Sequence, residues 1–170
     1  TLRYGVQIAD ALSAAHRRAA SREAEEIQVA SNEVARAFTT RNFEKLPDLL
    51  LSNFKCIVPG NVVLTREQFI KAFVQESQRA LPPVSVSTKL IGLNVQGRVA
   101  AASWAEVTEY SVTSSRGTTH RFKYNQQFES RMERIRGRWR IASVTYPSHA
   151  QLFLDGQPVT SEEMKRRLAE

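Results

Sequence analysis

The stretch FKYNQQFESRMERIRGRWRIASVTY, residues 122–146, alternates in side-chain character along two segments that meet at Arg136-Gly137. A period of two is typical of β-strands, and a short polar turn containing glycine joins the strands of a hairpin. Pairing across this turn sets Met132 opposite Ile141. The stretch therefore predicts a long antiparallel hairpin with alternate residues on its two faces.

The alternation extends back to Val84, so the hairpin is the end of a larger sheet. Four long strands are predicted, over residues 84–95, 99–113, 118–135 and 138–146. Three short polar turns join them, at Gln96-Gly97, Ser115 to Gly117 and Arg136-Gly137. Consecutive hairpins of this kind form an antiparallel meander.

Helical patterns precede the strands. Apolar residues recur at helical spacing over residues 22–41, and Asn42 is positioned to cap a second, shorter helix. A small hairpin follows over residues 54–64. Thr65, with Gln68 three residues later, forms a capping box that predicts a third helix. A short strand at 152–154, a turn at Asp155-Gly156 and a last helix from about Glu162 close the chain.

Length and composition exclude several classes of protein. The chain has 170 residues, of which 42% are hydrophobic and 24% charged, as expected for one folded domain rather than a disordered chain. No apolar run reaches the ~20 residues of a membrane span. Cys56 is the single cysteine, so no internal disulfide can form. We therefore expect a cytoplasmic protein that has no membrane partner.

The net charge of +7 raises the question of an anionic partner. Eight basic and two acidic residues lie between Arg116 and Arg140, so this region carries nearly all of the excess. Continuous strand parity places most of these charges on the outer face of the sheet. The same assignment puts Trp104 and Tyr110 on that outer face, and it puts Glu109 on the inner face with Phe122 and Tyr124.

The order of elements resembles the nuclear transport factor 2-like superfamily, which includes SnoaL-like polyketide cyclases and ketosteroid isomerases. The likeness rests on the helix pair around NFEKLPDLL, residues 42–50, and on RGRWRIASVTY, residues 136–146. It implies an α+β, cone-shaped, cystatin-like fold in which N-terminal helices pack on a curved antiparallel sheet. The expected organisation is an N-terminal helical extension at 1–21, the fold itself at 22–150 and a C-terminal extension at 151–170.

The resemblance also implies a pocket inside the cone. Two functions fit it: a small-molecule-binding or association module, or a cofactor-free isomerase, cyclase or dehydratase that uses a pocket carboxylate. For the enzyme, Glu109 is the predicted base and Tyr124 the predicted oxyanion donor. Neither a metal nor a cofactor is expected, because the three histidines lack ligand spacing and no phosphate loop is present. The other residues expected in the pocket are Ser103, His120, Gln126, Phe128, Ser143 and Thr145.

The outer face suits a homodimer, which the resemblance also implies. Its expected interface residues are Trp104, Tyr110, Arg121, Lys123 and Glu129. Mixed charges favour a two-fold, self-complementary contact. Nucleic acid is the rival partner, but glutamates interrupt the basic stripe and no recognition motif is present, so we expect no nucleic-acid partner.

A shorter likeness lies at the N-terminus. LRYGVQIADALSAAHRR, residues 2–18, resembles the helix that precedes the catalytic loop of bacterial serine/threonine kinases. An ordinary amphipathic helix explains the same residues. The remaining kinase motifs are absent from the sequence, so phosphoryl transfer is not expected.

Overall fold

The computed structural model describes the backbone of residues 2–170 and the side chains of residues 14 and 20–170. Its elements, in chain order, are α1 (Leu2–Thr40), α2 (Leu46–Leu49), β1 (Leu50–Val58), β2 (Val62–Thr65), α3 (Arg66–Arg79), β3 (Leu81–Gln96), β4 (Val99–Thr113), β5 (Thr119–Ile135), β6 (Arg138–Thr145), β7 (Gln151–Leu154), β8 (Gln157–Val159) and α4 (Ser161–Ala169). In the described part of the chain, no helix combines the length and the apolar character needed to cross a membrane.

The helices occur where the sequence predicts them, but two of them begin at residues other than those predicted. The helix predicted from residue 22 is continuous with the N-terminal segment, and α1 runs from Leu2 to Thr40. Apart from Ala14, the side chains of the kinase-like stretch lie outside the described residues. The predicted cap at Asn42 is wrong, because α2 begins at Leu46 after Lys45. The capping box is confirmed: Thr65 and Gln68 exchange side-chain to backbone hydrogen bonds at the start of α3.

The strands form one mixed, curved and unclosed sheet, in the order β2-β1-β6-β5-β4-β3. The predicted meander of β3, β4, β5 and β6 is confirmed. Its last strand, β6, also pairs in parallel with β1, so the sheet is not purely antiparallel. The C-terminal segment joins the same sheet, because β7 pairs with the first half of β5.

The register between β4 and β5 contradicts the predicted faces of β4. Tyr110 pairs with Phe122 and Thr108 with Tyr124, whereas Glu109 pairs with Lys123. This register is one residue away from the one that would bring Glu109 beside Tyr124. Because side chains alternate, a slip of one residue moves every side chain of a strand to the other face.

Consequently β4 is inverted relative to the prediction. Trp104 and Tyr110 lie in the core, with 1% and 6% of their surface exposed, and cannot form the predicted outer interface. Ser103 and Glu109 lie on the outer face. The inner residues of β4 are Ala100, Ala102, Trp104, Glu106, Thr108 and Tyr110.

A β-bulge in β6 likewise moves the side chains beyond it to the face opposite to the predicted one. Met132 pairs with Ile141, as predicted, but Arg131 pairs with Ser143, so Ala142 is an extra residue in β6. Past the bulge, Val144 faces inward. Ser143 and Thr145, which were expected in the pocket, therefore face outward.

The core lies between the inner face of the sheet and the helices α1, α2 and α3. Its largest fully buried side chains include Ile27 of α1, Leu46 of α2, Phe54 of β1 and Trp104 of β4. A smaller cluster around Phe38, Tyr110 and Phe122 receives apolar side chains from β7, β8 and α4. The sheet and helices thus enclose one apolar interior, and the site lies inside it.

Candidate functional site

A cavity of about 260 Å³ lies between the inner face of the sheet and the helices α1 and α3. This is close to the lower end of the range for small-molecule pockets, roughly 300–1,000 Å³. Most of its wall is apolar. Aromatic side chains form much of the lining: Phe38, Phe54, Phe69, Phe73, Trp104, Tyr124, Phe128 and Tyr146.

Glu106 places a carboxyl group in this apolar wall. Its Oε1 accepts a hydrogen bond from Gln126 Nε2 at 2.8 Å and a longer one from the Thr108 hydroxyl at 3.3 Å. Adjacent strands hold this arrangement, because Glu106 pairs with Gln126 across β4 and β5, and Thr108 pairs with Tyr124. The carboxyl group is therefore fixed by neutral donors on rigid strands.

Burial raises the pKa of Glu106 above its ordinary value of 4.5, because an ionised carboxylate loses solvation in the cavity. Hydrogen bonds from Gln126, Thr108 and Tyr124 oppose this shift without cancelling it. No cation of the described residues is among the causes of the shift. A carboxyl group whose pKa is raised in this way is better suited to accept and deliver a proton than an ordinary surface carboxylate.

Two tyrosines lie close enough to Glu106 for its charge to affect them. Burial raises the pKa of Tyr124 and of Tyr146, and the Glu106 charge raises both further. Both phenols are therefore neutral O–H donors at physiological pH. A neutral phenol beside a carboxylate is a suitable donor to an oxygen that gains negative charge.

The cavity floor beyond Glu106 is apolar and closely packed. Trp104 donates from Nε1 to the Ser130 hydroxyl at 2.9 Å, and its ring stacks on Phe128 at a centroid separation of 6.1 Å. Cys56 also lines the cavity, and burial raises the pKa of its thiol to about 11. A neutral thiol is a poor nucleophile, so Cys56 acts as a small apolar wall residue.

A second carboxylate, Glu76 of α3, also lines the cavity, but this residue is exposed to solvent. Its Oε1 accepts a hydrogen bond from the Tyr110 hydroxyl at 2.5 Å. Burial and the nearby Glu76 charge raise the pKa of Tyr110, which keeps this phenol protonated. The lining thus contains two acids, each bound by neutral donors.

Only some of the residues that the sequence placed in the pocket line the cavity. Tyr124, Gln126 and Phe128 line the cavity. Glu109 does not: it lies on the outer face, within 2.8 Å of Arg121 Nη2 and 3.1 Å of Lys123 Nζ. Those two cations lower the pKa of Glu109, the opposite of what a base in an apolar pocket requires.

The remaining predicted pocket residues lie elsewhere. Ser103, Ser143 and Thr145 line a shallow groove on the outer face. His120 lies at the start of β5, where its Nδ1 is 2.8 Å from Asp155 Oδ2. Of the residues expected at a dimer interface, Arg121 and Glu129 are exposed on β5, and Lys123 is partly exposed.

Sequence reasoning missed Glu106, Glu76, Thr108 and Tyr146 as cavity residues. A signal for Glu106 was present in β4: Trp104 and Tyr110 share its parity, and two large aromatic residues are usually buried. Placing them inside would have placed Glu106 inside as well. Within the described residues, no three His, Cys, Asp or Glu side chains come together in a way that could hold a metal ion.

The sequence matches no protein-family model and no curated protein. Solved structures do resemble the fold. An NTF2-like protein with a cystatin-like fold from Novosphingobium aromaticivorans superposes with a TM-score of 0.62 at 16% identity, covering 92% of this chain and 94% of that one. A type 2 LinA hexachlorocyclohexane dehydrochlorinase gives a TM-score of 0.62 at 13% identity, covering 85% of this chain and 92% of that one.

The association domain of CaMKII from C. elegans is also similar, with a TM-score of 0.54 at 15% identity over 75% of this chain and 97% of that one. A structural likeness at such low identity shows the fold alone and does not show an activity. The element order, the curved mixed sheet and the helices over its inner face agree with these likenesses. The chain therefore has an α+β fold similar to that of an NTF2-like protein with a cystatin-like fold.

Proposed function

We propose that the cavity binds a small, largely apolar molecule and that Glu106 transfers a proton to or from it. The reaction class is a cofactor-free isomerisation or elimination. The observation that carries this proposal is the Glu106 carboxyl group, which stands in an apolar cavity with neutral hydrogen-bond donors and a raised pKa. The likeness to a dehydrochlorinase is consistent with elimination chemistry.

The proposed roles follow from position. Glu106, once ionised, accepts the proton from a C–H bond of the bound molecule. Gln126 and Thr108 donate to its Oε1, and Tyr124 also hydrogen-bonds the carboxyl group, so its orientation is fixed. Tyr124 or Tyr146 donates a hydrogen bond to the oxygen on which negative charge develops. The apolar aromatic wall lowers the local dielectric, and this strengthens each of these interactions.

A general probe of a carboxylate in an apolar pocket tests the proposal without knowledge of the natural substrate. In 5-nitrobenzisoxazole a base removes the C3 proton as the ring N–O bond breaks, which yields a nitrile and a coloured phenolate. We expect the protein to accelerate this reaction well beyond acetate at the same concentration. A rate no higher than that of acetate would contradict the proposal.

The outer sheet face carries a second candidate function, self-association. The likeness to a kinase association domain favours it. With Trp104 and Tyr110 buried, the remaining candidate interface consists of exposed or partly exposed basic and acidic side chains, among them Arg121, Lys123 and Glu129, beside smaller residues of β4. Such a mixed surface can be complementary to its own copy. We propose a homodimer through this face.

Light scattering after size exclusion tests the dimer. We expect about twice the chain mass of 19.2 kDa at micromolar concentration. Val107→Glu, on the outer face, is expected to shift the protein to the monomer. Val62→Glu adds the same charge to an exposed position on β2, away from that face, and is expected to leave the mass unchanged. A wild-type monomer at every concentration would exclude the dimer.

A further inference from the structure

The cavity is acidic although the chain is basic. The net charge is +7, with 24 lysine and arginine residues. None of the basic side chains that the structure describes lines the cavity, whereas two carboxylates, Glu76 and Glu106, do. The electrostatic character of the site is therefore opposite to that of the whole chain.

Glu76 is a solvent-exposed residue of the cavity lining, and no described basic side chain pairs with its carboxylate. Its only hydrogen bond among the described side chains comes from the Tyr110 hydroxyl, a neutral donor. No described Lys, Arg or His side chain lies within 4.0 Å of it. Arg79, in the last turn of α3, is close enough to influence Tyr110 but forms no ion pair with Glu76. A ligand cation bound at this point would form an ion pair with the carboxylate.

Aromatic rings lie in the same part of the cavity lining as Glu76. Phe73 precedes Glu76 by three residues on α3, a spacing that places both side chains on one face of the helix. Phe38 packs edge-on to Phe73 with ring centroids 5.3 Å apart, and all three residues line the cavity. Aromatic faces attract organic cations.

The two carboxylates lie near different points of β4. Glu106 lies on β4, and Tyr110, the partner of Glu76, lies four residues further on, roughly 13 Å at the rise of a β-strand. Thr108 lies between them, paired with Tyr124. One elongated molecule can therefore reach both ends.

We infer that the cavity takes an organic amine in its cationic form, with the ammonium group at Glu76 and the uncharged part of the molecule extending towards Glu106. This inference rests on the proposed function for the reactive end, since it assigns Glu106 to the bond that changes and Glu76 to recognition. The same arrangement disfavours anions, because a carboxylate or phosphate group would meet two acids and no base.

Three ligands of nearly equal shape test the inference by calorimetry at pH 7 with the whole chain. They are 1-naphthylmethylamine, a cation, 1-naphthalenemethanol, which is neutral, and 1-naphthoate, an anion. We expect the amine to bind at least tenfold more tightly than the alcohol, and the alcohol more tightly than the naphthoate. An alcohol that matches the amine, or a naphthoate that binds most tightly, would overturn the inference.

Variants assign the preference to Glu76. Glu76→Gln keeps an acceptor for Tyr110 and removes the charge, so the amine is expected to bind within about threefold of the alcohol while the alcohol affinity is unchanged. Glu44→Gln removes the same charge from an exposed position between α1 and α2, outside the cavity, and is expected to preserve the tenfold preference. A preference that persists in Glu76→Gln would contradict the placement of the ammonium group.

The experiments distinguish a failure of proton transfer by Glu106 from a failure of amine recognition by Glu76. The 5-nitrobenzisoxazole reaction uses an uncharged substrate and depends on Glu106. If that reaction is catalysed and no amine preference is found, only the inference about the substrate is wrong. If the amine preference is found without catalysis, recognition by Glu76 stands and proton transfer by Glu106 does not.

Discussion

Replacing Glu106 by glutamine is expected to slow the deprotonation of 5-nitrobenzisoxazole by at least a hundredfold. A positioned general base typically contributes about 10²- to 10⁴-fold to the rate of a proton transfer. Glutamine has nearly the same shape and can still accept a hydrogen bond from Gln126, but its amide cannot take the proton. The initial rate of phenolate formation at saturating probe measures the loss.

Glu109→Gln provides the matched control. It makes the same chemical change three residues along the same strand, on a carboxylate that is bound by Arg121 and Lys123 on the outer face. Its rate is expected to remain within about twofold of the wild-type rate, because surface charges act weakly through solvent. Equal loss in both variants, or loss only in Glu109→Gln, would place the base outside the cavity and refute the proposed site.

The Glu106 variant is also expected to remain folded. A carboxyl group whose pKa is raised by burial binds more protons in the folded than in the unfolded state over the interval between the two pKa values. The free energy of unfolding therefore falls as the pH rises through that interval, and the loss remains above it. Glu106→Gln removes this loss, so its stability at pH 7 should equal or exceed that of the wild type, and lost activity cannot be ascribed to unfolding.

Replacing Trp104 by alanine is expected to reduce the free energy of unfolding by about 3–5 kcal/mol, the usual cost of removing a large aromatic side chain from a core. Trp104 is 1% exposed, stacks on Phe128 and donates a hydrogen bond to Ser130. The substitution removes this packing and leaves the buried Ser130 hydroxyl without its partner. Urea unfolding followed by circular dichroism measures the change.

Two further variants complete this experiment. Trp104→Phe keeps an aromatic ring against Phe128 but loses the indole N–H donor, and is expected to cost about 1–3 kcal/mol. Ile91→Ala shortens an aliphatic side chain on β3 that is 51% exposed, and should change stability by less than about 0.5 kcal/mol. If Trp104→Ala were as mild as Ile91→Ala, Trp104 would lie on the outer face, and the register of β4 would be wrong.

The order and type of the elements could be predicted because they depend on local signals. Alternation along residues 84–146 indicates strands, and Thr65 with Gln68 starts a helix through its own hydrogen bonds. The parallel pairing of β1 with β6 was not predictable in this way. It joins segments far apart in sequence, and no turn fixes their register.

The sequence analysis assigned the wrong faces to β4 and to the end of β6, and the reason is geometric. Two local features decide them: the register across the connection between Thr113 and Thr119, and the extra residue at Ala142. Each changes the position of a strand by one residue, which hydrophobic alternation alone does not detect where both faces carry mixed residues. As a result Tyr124, Gln126 and Phe128 of β5 were placed correctly, whereas the carboxylate of β4 was chosen three residues from the one inside.

The titration of the two carboxyl groups of β4 shows directly whether Glu106 forms a proton-transfer site. Carbon-13 NMR of selectively labelled glutamate, with Glu106→Gln and Glu109→Gln to assign the signals, follows each side-chain carboxyl as a function of pH. We expect Glu106 to titrate above 4.5 and Glu109 below it, since burial acts on the first and two cations on the second. The reverse order, or two ordinary titrations, would contradict a proton-transfer site at Glu106.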